Sequence, residues 1–156
     1  MFDVPFESLY IWTALSVAAV VLVGTVAGLP TTPIPDATGV ADTVDSVAVA
    51  DYDTTAEHPL EADAVSLGSR RIALRNDGGT AHAAFAFGPV TPTTYESRLG
   101  SVALGAQPSA VFESPAAFRA AVGDARTTNS SWRPVADTLV VRHVSWEGTD
   151  VTVVAA

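Results

Sequence analysis

Cysteine is absent from the 156 residues. Its absence excludes disulfide bonds, thiolate metal ligands and a cysteine nucleophile together. Lysine is absent as well: all eight basic residues are arginine, set against seventeen acidic ones for a net charge of −9. A scattered, outnumbered set of arginines lacks the basic footprint that displaces counterions from phosphates, which excludes a nucleic-acid partner. An acidic, lysine-free surface suits concentrated salt, where charge repulsion is screened to short range, and so predicts a halophilic source. Several chemical motifs are missing too. No serine stands in a Gly-x-Ser-x-Gly elbow, and no glycine-rich loop joins a strand to a helix. These gaps predict a chain with no catalytic residues and no cofactor.

Charge is also missing from residues 9–29, where an apolar run of about 21 residues would rise roughly 31 Å as a helix, the thickness of a bilayer's hydrocarbon core. Tyr10 and Trp12 mark one edge and Pro30, Pro33 and Pro35 the other. The run predicts a transmembrane helix over 9–29 after a short tail of residues 1–8. A cleavable signal peptide is the competing reading, but it wants a positive leader, and Asp3 and Glu7 are the charges found there. Gly24, Gly28 and Ser16 fall on roughly one face, a small-residue stripe that predicts helix packing and self-association in the lipid bilayer. The expected location is the cell membrane, single-pass, with the C-terminal domain outside. Asn129-Ser130-Ser131, a glycosylation sequon, fits an exported domain.

Residues 30–38, rich in proline and threonine, read as a stiff linker, and 39–156 as one acidic domain. Val40, Val44 and Val47 recur at helical spacing within 39–50. Residues 51–64 read as polar and irregular. Strands are expected over 65–67 and 71–75, and Asn76-Asp77-Gly78-Gly79 predicts a tight turn into a further strand over 80–87. A short helix fits within 95–104. Ser114-Pro115 reads as an N-cap and first helical position, with Phe118, Ala121, Val122 and Ala125 on one face. Residues 138–146 and 150–154 form β-rich runs about Glu147-Gly148-Thr149. The order helix, hairpin, helix, hairpin predicts an α+β fold: a small two-layer domain with a single antiparallel sheet carrying both helices on one face.

His58, His82 and His143 have no metal-ligand spacing, and sheet histidines are the simpler reading. Asp51, Asp53, Glu57, Glu61 and Asp63 could hold a hard cation, but they lack the ligand alternation and glycine of an EF-hand loop, and a solvated acidic surface accounts for them. Arg70 and Arg71, with Trp146, are the candidate partner contacts, since interfaces favour arginine and tryptophan.

The Phe6-Glu7-Ser8-Leu9-Tyr10-Ile11-Trp12 entry into the apolar run, the Val40–Val47 segment and the Val144-Ser145-Trp146-Glu147-Gly148 turn together resemble a family of haloarchaeal single-pass membrane proteins. The resemblance implies an accessory role beside pilus-like or Tad-like secretion systems, with no catalytic residue to carry over. The first eight residues lack the basic residue at which a prepilin peptidase cuts. The expected function is a membrane-anchored structural or assembly subunit acting by protein–protein contact with other membrane or secretion-system proteins. The alternative is a surface-displayed module for a cation or glycan.

Overall fold

A computed structural model describes residues 6–27 and 32–156, with the side chains of the first segment described from residue 10 to residue 21. The chain divides into two units, Met1–Thr31 and Thr32–Ala156.

The first unit holds α1 (Phe6–Ala27). Leucine and alanine favour this helix, and no proline interrupts it. The Ser16 hydroxyl donates to the carbonyl of Trp12 at 2.8 Å, so its oxygen serves its own helix. Tyr10, Ile11, Trp12, Leu15, Val17, Val20 and Val21 are exposed. Among the described residues no helix is long and apolar enough to cross a membrane. That finding overturns the expected transmembrane helix, and the single-pass membrane location goes with it.

The second unit opens with α2 (Ala37–Ala48), whose N-cap Asp36 accepts a hydrogen bond from the Gly39 amide at 2.8 Å. Then come β1 (Thr54–Pro59), β2 (Ala64–Leu67), β3 (Arg71–Asn76), β4 (Gly79–Ala84) and β5 (Thr91–Thr93). The helices α3 (Arg98–Ala103), α4 (Pro108–Val111) and α5 (Pro115–Thr127) follow, and β6 (Arg133–Pro134), β7 (Thr138–Trp146) and β8 (Thr149–Ala155) close the chain.

The content is α+β, but the single antiparallel sheet is corrected. The described residues form two four-stranded sheets, ordered β1-β7-β8-β5 and β4-β3-β2-β6, and the β5–β8 pair is parallel. The reason lies in β7 and β8. Alternation sends Leu139, Val141 and Val154 to a core shared with α2 and the inner side of the second sheet. It sends Val144, Val151, Val153 and Ala155 to a second core beneath α3 and α5. A sheet buried on both faces needs nearly continuous apolar strands, and the valine-rich runs of β7 and β8 supply them. The helices consequently sit on opposite faces of the first sheet, α2 on one and α3 and α5 on the other.

One charge lies inside this arrangement. Arg142, 8% exposed, donates from Nη1 to the carbonyls of Val102 and Ala106 at 2.8 and 3.0 Å. The carbonyl-rich end of α3 thus receives a cation, which suits the negative end of a helix dipole. Replacing Arg142 with Met keeps the stem and strands both carbonyls. A loss of about 2–3 kcal/mol is expected for removing charge-assisted bonds at a buried position, read as a lower urea midpoint at unchanged slope.

Candidate interaction face

The second sheet is buried on one side only. Register pairs Val65 with Leu74 and Leu67 with Ile72, and Leu74 and Ile72 in turn with Ala81 and Ala83. These side chains point into the core or pack against it. The opposite parity points outward: Ala64, Arg75 and Thr80 form one row, Ser66, Ala73 and His82 the next, and Arg71 and Ala84 the last. Arg71, Arg75, Thr80, His82 and Ala84 are exposed.

The turn that sets this register is built locally. The Asn76 side-chain oxygen accepts from the Gly78 amide at 2.8 Å. Its Nδ2 donates to the carbonyls of Pro33 and Glu61 at 2.9 and 3.1 Å, which fixes the hairpin to the preceding chain. A Cβ on Gly78 would lie 2.2 Å from the Thr32 carbonyl oxygen, so the approach of these two backbones requires glycine.

Small neighbours leave the two arginines standing clear. The Arg75 guanidinium sits 4.6 Å from the ring centre of Trp132, a cation–π contact worth about 0.5–1 kcal/mol at an exposed site. Trp132 is 41% exposed. A cleft of about 210 Å³ opens among Ser66, Arg71, Ala73, His82, Ser130 and Trp132. The outward rows contain no Asp or Glu. In a chain of net charge −9, this is a concentration of positive charge on one sheet face.

At β6 the alternation turns the next residue the other way. Arg133 is paired with Val65, on the inward parity, and its Nη2 donates to the Thr93 carbonyl at 3.0 Å. Its Nε is buried with no acceptor, and burial lowers the guanidinium's pKa. Arg126, whose Nε donates to the Thr91 hydroxyl at 3.1 Å, is lowered by the same cause.

The candidates read from the sequence separate. Arg70 is exposed at the bend before β3, where its carbonyl accepts from the Phe85 amide at 2.9 Å, and Arg71 opens β3 on the outer face. Trp146 does not join them: half-buried at the end of β7, it packs 5.9 Å from Phe118 in the second core. The exposed tryptophan beside the arginines is Trp132. Ser16 and Gly24 lie in α1, and Gly28 lies outside the described residues.

The histidines stand apart. His58 Nδ1 is 2.8 Å from the Thr43 hydroxyl, which donates to Gly39, so the ring nitrogen is the donor. His143 is 3.3 Å from Thr152, and His82 is on the outer face. In the acidic stretch, the Asp53 carboxylate accepts from the Ser145 amide at 3.1 Å. Among the described residues no three His, Asp or Glu side chains gather in a way that could hold a metal ion. Arg75 and His82 were missed as members of the face, although the spacing 71, 73, 75 on one strand was a readable signal for Arg75.

The sequence pattern of DUF7283, described as a family of unknown function, matches residues 3–144. The chain belongs to that family. The DUF7283 match contains every residue of the outer face, from Ala64 to Ala84 and Trp132, and ends within β7. No curated protein and no solved structure matches the chain.

Proposed function

We propose that this DUF7283 chain is a non-enzymatic assembly subunit whose outer sheet face binds an acidic protein partner. The observation that carries the reading is the exposed pair Arg71 and Arg75 beside Trp132, on a surface free of carboxylates in a strongly acidic chain. Arginine and tryptophan are the side chains enriched where binding energy concentrates, and complementary charge steers association. A face of small residues admits a protein surface, with the two guanidinium groups and the indole as anchors. The exposed apolar side chains of α1 offer a second contact surface for self-association, because a helix apolar on all sides needs cover. A halophilic cell and a pilus-like or secretion assembly would suit such a subunit, the first for its acidic, lysine-free composition and the second for two contact surfaces on one chain.

The test is a photoreactive residue in place of Ser66, at the middle of the face, in the producing cell. Protein adducts that vanish when Arg71 and Arg75 are reversed in charge are the expected result. Adducts that carry carbohydrate would favour the glycan-binding alternative, and no adduct would reject the face as a contact.

A further inference from the structure

A second cleft, of about 240 Å³, lies between β5, the end of α5 and the start of β6. Leu67, Pro92 and Ala125 give it an apolar side; Thr93, Asn129, Ser130 and Ser131 give it polar groups, and Arg133 supplies its charge. No Asp or Glu lines it. This is unusual ground in a chain with twice as many acids as bases, and the arginine is not fully used. Its Nη2 has the Thr93 carbonyl, while its Nε is buried and has no acceptor. Arg133 is half-buried, and partial desolvation of a cation without a counter-charge carries a cost; its buried Nε donor without an acceptor adds to it. Both costs are relieved by one kind of visitor.

We infer that this cleft binds a carboxylate carried on a short aliphatic stem, with Arg133 as its counter-ion. A single guanidinium balances a single negative charge, and its planar fork matches a carboxylate's two oxygens. The apolar side accommodates the methylenes, while Asn129, Ser130 and Ser131, all exposed, form the mouth and can yield as the ligand reaches the guanidinium. At the adjoining end of α5, the Thr128 amide and hydroxyl both donate to the Asp124 carbonyl at 3.1 and 2.9 Å, which reduces the carbonyl charge facing the ligand. The carboxylate comes from a free small acid or from a glutamate side chain of a bound peptide. The site stands whatever the outer sheet face binds.

The experiment is a nuclear magnetic resonance titration of the full chain, following the Arg133 Nε–H signal, with glutarate in one arm and a blocked Gly-Glu-Gly peptide in the other. A saturable shift of that signal at millimolar ligand is expected. Tighter binding of glutarate assigns the site to free acids, and tighter binding of the peptide assigns it to a partner's side chain. R133Q, followed through the backbone amide signals of residues 129–131 at the mouth, is expected to weaken binding at least ~10-fold. S131W, which blocks the mouth from an exposed position and leaves the guanidinium in place, is expected to do the same. No saturable shift from either probe, or a folded R133Q that binds as well as the native chain, overturns the assignment.

Discussion

R71E/R75E is expected to weaken binding of an Asp/Glu-rich peptide by about 100-fold, equivalent to about 2.7 kcal/mol, because each substitution removes an attraction and adds a like-charge contact. Fluorescence anisotropy with a labelled peptide reads the change. Arg71 and Arg75 are exposed on outward positions of β3, so the variant should lose little more than the Arg75–Trp132 contact, about 0.5–1 kcal/mol. Raising salt should weaken the native chain's binding and leave the variant's almost unchanged, since screening acts on exposed charges. R71K/R75K separates charge from shape. Retained affinity would mean that charge alone suffices, whereas a loss would show that the Arg75–Trp132 stack contributes.

The largest stability effect belongs to Phe118. Fully buried under α5, its ring meets Phe112 edge-on at 5.3 Å between centres and Trp146 at 5.9 Å. Phe118→Ala leaves a void among side chains held by two different elements, the segment after α4 and the end of β7, so collapse around it is limited. A loss of about 3–5 kcal/mol is expected, seen in the urea unfolding midpoint. The outer face of the second sheet lies on the other core, so a partially stable F118A chain at low temperature should keep peptide affinity in proportion to its folded fraction.

Local chemistry was readable from the sequence where a short motif fixes a backbone geometry. Ser114 caps α5, accepting from the Ala117 amide at 3.2 Å, with Pro115 at the first helical position. The turn at Asn76–Gly79 and the turn at Glu147-Gly148, both residues at positive φ, join antiparallel strands as turn residues dictate. Phe118 and Val122 are buried on α5 as their spacing requires.

Pairing over long distances was not readable. Residues 54–59 carry no apolar alternation, since exposed Thr55, Glu57 and Pro59 alternate with half-buried Thr54, Ala56 and His58; they form β1 by edge pairing to β7, about eighty residues later. The three residues of β5 lie in a Pro- and Thr-rich stretch and become a strand through parallel pairing with β8. Both strands exist by tertiary contact rather than by propensity, and they turn the expected one-sided sheet into one covered on both faces. The outer face suffered in a similar way. Trp132 follows a polar loop with no strand periodicity of its own, and only the short β6 pairing with β2 brings it beside Arg75.

Hydrogen exchange on the full chain, compared between the isolated protein and its assembly from the producing cell, tests the central reading most directly. Docking on the outer sheet face predicts slower exchange at amides 71–75 and 80–84, the latter on the free edge strand β4, with α5 unchanged. Protection confined to α3 and α5, with β3 and β4 exchanging as in the isolated protein, would contradict it.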